Sequence, residues 1–337
     1  MSAGPWRDRP VTVRAPATSA NLGPGFDALG LALGLHDEVQ ARAIGGGLRI
    51  EVTGVGAGTA GHGEQHLVVR AMRAAFELLG EQPPGIALRC VNAIPHGFGL
   101  GSSAAAIVAG ILAARALRVG GEEELPDDAV LRLAADLEGH ADNVAACLAG
   151  GLTIAWTGGG QGAVRCVRLE PLPGLTPVLC VPAAPLATVQ ARQVLPATVP
   201  HADAAKNAAR SALLVAALTR GAPPADPGVM LDATQDFLHQ PYRADSMPRT
   251  AELVGALREA GIPAVVSGAG PAALALVVPG VTAGPDAVAA TAAAAATVEA
   301  ATAAAATAAT VAAATDSGHN WTVRVLSVDR VGAAVTR

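Results

Sequence analysis

Gly97, Gly99 and Gly101 stand at alternate positions in Ile94-Pro95-His96-Gly97-Phe98-Gly99-Leu100-Gly101-Ser102-Ser103-Ala104-Ala105-Ala106. Such glycines let a backbone turn tightly and approach a ligand with no Cβ in the way. Ser102 and Ser103 follow at the start of a predicted helix, where unpaired N–H groups and the positive end of the helix dipole collect. The chemistry these residues suit is phosphate binding, ahead of a plain helix cap. The apolar run 86–91 before the loop predicts a strand, and the Ala, Leu and Ile of 104–117 predict a helix. Strand, loop and helix thus follow in the order of an anion site.

Two other stretches concentrate polar groups. Glu138, His140, Asp142 and Asn143 put two carboxylates, an imidazole and an amide within six residues, after a predicted helix from Asp127 through Leu137. A core tolerates that density only where it lines a site, and composition alone leaves a solvated turn between helices equally open. Nearer the N-terminus, Val11–Ala15 alternates as a strand that Pro16 should stop. The turn-rich segment 16–27 then brings Asn21, Asp27 and two hydroxyls together beside glycines. It could be a connector, or it could orient a small polar substrate.

Exclusions narrow the field. The only lysine is Lys206, in Ala-Lys-Asn, so the chain holds neither a Walker phosphate loop nor the strand lysine of a protein kinase. The glycine spacing also departs from the dinucleotide fingerprint. A length of 337 residues accommodates two domains, and 51% hydrophobic with 15% charged residues describes a globular chain. With aromatics at 2%, the core must be built from Ala, Val and Leu. A net charge of -5 and the lack of a basic patch argue against a nucleic-acid partner.

No signal peptide is read at the N-terminus, and Cys90, Cys147, Cys166 and Cys180 are too widely spaced for a metal site or disulfide scaffold. They fit small core residues in a reducing cytoplasm. Residues 287–315 comprise 19 Ala, 6 Thr, 3 Val and 1 Glu. That run is long enough to span a membrane but too weakly apolar to insert, so no membrane association is expected. It reads as an Ala-rich helix or a partly disordered insertion without catalytic meaning.

The segment from Pro95 to Ala105 resembles the P-x-x-x-G-L-G-S-S-A-A loop of the GHMP small-molecule kinases. Other segments resemble the homoserine-kinase branch of that family, in the family's order. They are the loop Pro16–Asp27, the stretch Glu138-Gly139-His140-Ala141-Asp142-Asn143-Val144 and Thr188-Val189-Gln190-Ala191-Arg192 with Leu195-Pro196 after it. Gln235–Arg243 and Ser267-Gly268-Ala269-Gly270-Pro271 complete the set. Ala187 stands where a serine is common in the family, and Phe98 where relatives often carry a polar or basic residue.

The resemblance implies an α+β GHMP kinase fold. Residues 1–170 would form an ATP-binding domain like ribosomal protein S5 domain 2, with a left-handed β-α-β unit. Residues 171–337 would form a ferredoxin-like domain that carries the 287–315 insertion. It implies that Pro95, His96, Gly97, Phe98, Gly99, Leu100, Gly101, Ser102, Ser103 and Ala104 hold ATP, with Glu138 and Ser103 on Mg2+. Asn21, Asp27, His140, Asn143, Thr188, Arg192 and Arg243 would bind L-homoserine, with His140, Asn143 and Arg192 nearest the chemistry. The two arginines suit a substrate carboxylate because a guanidinium grips it bidentately. The spacing of apolar residues predicts an amphipathic helix from His66 to Leu79, and the resemblance implies that its start lies near the adenine. Asp142 keeps an open role, since an aspartate here is a base in the mevalonate-kinase branch whereas homoserine kinases are thought to lack one. A cytoplasmic homodimer is the expected form. The alternatives are a GHMP kinase for mevalonate or a sugar, and a nucleotide-binding regulator without catalysis.

Overall fold

The computed structural model describes residues 5–58, 63–158, 163–186, 188–220, 227–278, 289–291, 293 and 321–337. The Ala/Thr-rich run 287–315 therefore lies almost wholly outside the described residues.

The chain begins with β1 (Val11–Ala20), the long β2 (Leu29–Ile44) and β3 (Gly47–Gly54). Then come α1 (Leu67–Leu78), β4 (Gly85–Asn92), α2 (Ser102–Leu117), the short α3 (Gly121–Glu124), α4 (Asp127–Glu138) and α5 (Asp142–Ala149). The hairpin β5 (Leu152–Gly158) and β6 (Ala163–Leu169) follows. Against expectation, β1 does not stop at Pro16. It runs on to Ala20 through a register shift between Pro16 and Ala17, the kind of sheet irregularity at which a missing N–H is tolerated.

Sixteen residues let β2 organise the first sheet. It pairs with β1 along one edge, while its other edge takes β5 at Leu29–Leu31 and β4 at Glu38–Ile44. Parallel pairing of β3 with β4 is bridged by α1, which makes the β-α-β unit. Below the sheet lies α2, of which only Ser102, Ser103, Ala106 and Arg115 are not buried. Alanine makes so central a helix feasible, and at Gly110 a Cβ would collide with Val68 O of α1.

The second sheet starts at β7 (Thr176–Val181). Helices α6 (Thr188–Gln193), α7 (His201–Arg220), α8 (Pro227–Ala233), α9 (Gln240–Arg243) and α10 (Pro248–Glu259) precede β8 (Ala264–Val266) and β9 (Ala273–Val277). The last strands are β10 (Thr322–Val325) and β11 (Ala334–Thr336). The order β10-β7-β9-β8 is antiparallel throughout. Alternation sends Val178 and Cys180 of β7 toward Leu253 and Leu257 of α10, and Leu179 and Val181 toward the large core shared with the first sheet. Both sheets thus feed one continuous core, and β11 returns to pair with β1 at the edge of the first.

Candidate active site

Strand β4 delivers the chain to the glycine loop, and Asp37 of β2 fixes the point of departure. Its buried carboxylate accepts the N–H groups of Ala93 (2.7 Å) and Ile94 (2.9 Å) through one oxygen. Four consecutive loop carbonyls then accept hydrogen bonds from elsewhere. Leu186 N–H reaches Gly97 O at 2.9 Å, Ala272 N–H reaches Phe98 O at 3.3 Å and Thr18 N–H reaches Leu100 O at 3.0 Å. Ser267 Oγ reaches Gly99 O at 2.8 Å. With its carbonyls engaged by the protein, the loop and the first turn of α2 keep their N–H groups for an anion. Gly97, Gly99 and Gly101 all have φ between 65° and 79°, and a Cβ at Gly99 or Gly101 would collide with Ser267 O or Thr18 Oγ1.

Two hollows open on either side of Ser102 and Ser103. One is lined by Asp37, Val39, His66, Asn92, His96 and Ala106 among others, and its apolar walls suit a nucleobase. His66 at the start of α1 sits there. The other holds Asn21, Glu138, His140, Asn143, Arg192 and Arg243 around the loop. Phe98 lines neither hollow and packs against the core, which removes it as an obstacle to phosphate.

Glu138 is the last residue of α4, and Ser103 Oγ donates to its Oε1 at 2.6 Å. Burial pushes the Glu138 carboxyl up, against the Ser103 hydrogen bond and the nearby His140 imidazole. His140 lies in the link to α5 with Nδ1 at 2.9 Å from Asp142 Oδ1, and that hydrogen bond chiefly raises its pKa. The same oxygen accepts Asn143 N–H at 2.8 Å. Thr18 Oγ1 donates to Asn143 Oδ1 at 2.7 Å, which fixes the amide and leaves its NH2 directed elsewhere. Composition left the 138–143 stretch open between a turn and a site; the structure buries Asp142 and Asn143 at the cleft.

Across the cleft, Asn21 and Asp27 lie in a loop with left-handed backbone at Asn21 (φ 68°), Leu22 (φ 50°) and Asp27 (φ 52°). For residues other than glycine this costs roughly 1–3 kcal/mol each. Asn21 ties the loop across itself, taking Asp27 N–H on Oδ1 at 2.9 Å and donating from Nδ2 to Gly268 O at 2.8 Å. Arg192 reaches from α6 to grip Asp27 with both terminal nitrogens, at 2.8 and 3.3 Å. Arg243 is buried, with Nε on Ala191 O at 2.9 Å and a terminal nitrogen on His239 Nδ1, also at 2.9 Å. Thr188 opens α6, and its side chain lies outside the described residues.

Sequence reasoning misses Asp37, His239 and the partners of the loop carbonyls, and reads Thr18 and Ser19 only as hydroxyls of a loop. The proline at position 16 hid the strand that carries Thr18 and Ser19, and the remaining contacts join residues far apart in the chain.

The GHMP kinase N-terminal domain model matches residues 66–151, and the C-terminal domain model matches 223–302. Fold and glycine cradle together define a small-molecule kinase of this type. The chain is 57% identical over 275 residues to a homoserine kinase of Streptomyces coelicolor, covering 81% of this chain and 87% of that one. Against a homoserine kinase of Clavibacter michiganensis it is 52% identical over 80% of this chain and 83% of the relative. A crystal structure of homoserine kinase from Cytophaga hutchinsonii superposes with a TM-score of 0.77 at 27% identity, over 100% of this chain and 99% of that one. The chain belongs to the GHMP kinase family, among its homoserine kinases.

Proposed function

We propose that the chain transfers the γ-phosphoryl group of ATP to the side-chain hydroxyl of L-homoserine, giving O-phospho-L-homoserine for threonine synthesis. One observation carries this reading: the glycine cradle shares a cleft with Arg192, whose guanidinium in turn holds the carboxylate of Asp27. An amino acid offers the complementary charges, its ammonium for Asp27 and its carboxylate for Arg192, so the substrate replaces each half of the internal pair. Mevalonate has only the carboxylate and galactose has neither charge, which disfavours both.

Residues 95–104 hold the ATP phosphates through backbone N–H groups, and the hollow by His66 and His96 takes the base. Glu138 and Ser103 offer hard oxygen donors to Mg2+, which typically takes one or two carboxylates beside substrate phosphates. The fit is supported by a half-buried carboxylate that takes a hydrogen bond from a hydroxyl of the phosphate loop. When bound, the ion neutralises charge that develops on the transferring group. Asn21, Asp27, Arg192 and Arg243 orient the substrate from one side of the cleft and His140 and Asn143 from the other, and Thr188 is assigned to the substrate carboxylate by the family resemblance. Asp142 Oδ1 already faces His140 Nδ1 and accepts the Asn143 backbone N–H, so its role in this reading is to set the His140 ring and the start of α5 rather than to remove a proton. Alignment then supplies most of the acceleration, and well-placed reactants gain about 7–11 kcal/mol.

None of the described helices is long and apolar enough to cross a membrane, and the four cysteines are free. A cytoplasmic homodimer belongs to the same reading. The test is ADP release with ATP and Mg2+ and, in turn, L-homoserine, D-homoserine, L-serine, mevalonate and galactose. Turnover confined to L-homoserine is expected; turnover with mevalonate or a sugar instead, or ATP binding without turnover, contradicts the proposal.

A further inference from the structure

The substrate loop carries its left-handed residues against side chains from the second half of the chain. Asn207 Nδ2 donates to Pro24 O at 2.8 Å, and His239 Nε2 lies 2.9 Å from Gly23 O. Gly23 and Pro24 both fall between Asn21 and Asp27. The His239 ring is fully buried and stacks on Phe26 of the same loop, with centroids 5.1 Å apart and planes at 21°.

Its protonation follows from its partners. An arginine only donates, so Nδ1, at 2.9 Å from Arg243, is the bare acceptor. Nε2 then carries the hydrogen and donates to Gly23 O. Asp236 Oδ2 is 3.4 Å from Nε2, but the Asp236 carboxylate already accepts the N–H groups of Leu238, His239 and Gln240. Burial holds His239 below the ordinary histidine range, which agrees with a neutral ring. Beyond it, Arg243 continues the chain of contacts to Ala191 O, the residue before Arg192.

We propose that His239 is a positioning residue for the amino-acid substrate: one imidazole, bonded through both nitrogens, sets the loop bearing Asp27 against the helix bearing Arg192. It touches no substrate atom. It acts by holding the Gly23 carbonyl on one side and Arg243 on the other, so the distance between the groups for ammonium and carboxylate depends on it. This rests on the homoserine reading above.

The test begins with wild-type turnover of L-homoserine, whose failure would count against that reading and not against His239. Given turnover, His239→Phe keeps the ring and its stacking but removes donor and acceptor, whereas His239→Gln can restore both. The expected result is a KM for L-homoserine raised about tenfold or more in His239→Phe, the scale of a buried hydrogen bond left unmade. The KM for ATP should stay unchanged, and His239→Gln should recover most of the loss. Equal rises in both KM values, or a wild-type KM in His239→Phe, overturn the proposal. Should His239→Phe not fold, nitrogen NMR of the wild-type imidazole decides. A hydrogen on Nε2, with an Nδ1 signal that moves on adding L-homoserine, supports the proposal; a hydrogen on Nδ1 or an unmoved signal overturns it.

Discussion

Between Gly97 and Gly101 the left-handed backbone falls on glycines, whereas between Asn21 and Asp27 it falls on an amide, a leucine and a carboxylate as well as on Gly23. Glycine adopts that conformation at no steric cost, so the phosphate loop needs only its carbonyls engaged to present its N–H groups. In the proposed function the substrate loop cannot use glycine at Asn21 or Asp27, because there those side chains carry the recognition. It is strained and must be held by Asn207, His239 and Gly268 from the other half of the chain. A site for a phosphate that every kinase shares can be built from backbone, while a site for one substrate needs side chains, and those need support.

The comparison is broken most severely at Gly99. A Cβ there collides with the carbonyl of Ser267, and with φ at 73° no relaxation keeps the loop in place. Gly99→Ala should lower kcat/KM for ATP by about 100-fold or more, the scale of an ångström-level misplacement, and leave equilibrium binding of L-homoserine intact. Steady-state kinetics varied in ATP, with calorimetric titration of homoserine, check both halves.

Arg192→Ala tests the opposite side. Loss of a charge-assisted contact is worth roughly 1.5–3 kcal/mol, so the KM for L-homoserine should rise about 10- to 150-fold while that for ATP holds. A matched rise in both would show that the two loops are not separable. Asn21→Gly sharpens the point about strain. It relieves the backbone at φ 68° but removes the bonds to Asp27 N and Gly268 O, and a rise of about tenfold in homoserine KM is expected. An unchanged KM would mean that backbone shape alone suffices.

The smallest effect concerns pH and stability. His239 is lowered from its ordinary 6.5 chiefly by burial, with Asp236 and Asp27 opposing and Arg243 assisting. Below the unfolded value the unfolded chain binds the extra proton first, so this contribution is intact above about pH 6.5 and is lost as pH falls toward the native value. The thermal midpoint of the wild type should therefore drop more than that of His239→Gln between pH 7 and pH 5 in calorimetric scans.

What the sequence disclosed follows the same division. The phosphate loop was legible because its conformation is written in local glycines, and α1, α2 and α4 followed from periodicity. The Glu138–Asn143 cluster stood out by polar density, although composition could not distinguish a turn from a site. The support of the substrate loop was not legible, since Asn21 meets Gly268 and His239 meets Gly23 only after the second half has folded back. Pro16 misled for a local reason, because a sheet irregularity absorbs it and β1 continues to carry Thr18 under the phosphate loop. Arg243 was readable as a cation near the substrate but not as a buried strut with two of its nitrogens already committed to the protein.

The most direct test of the account is phosphorus NMR of a reaction containing the protein, ATP, Mg2+ and L-homoserine. The account predicts that a phosphomonoester of homoserine grows in step with ADP. Inorganic phosphate released in its place, or no change in ATP while the nucleotide remains bound, would contradict it.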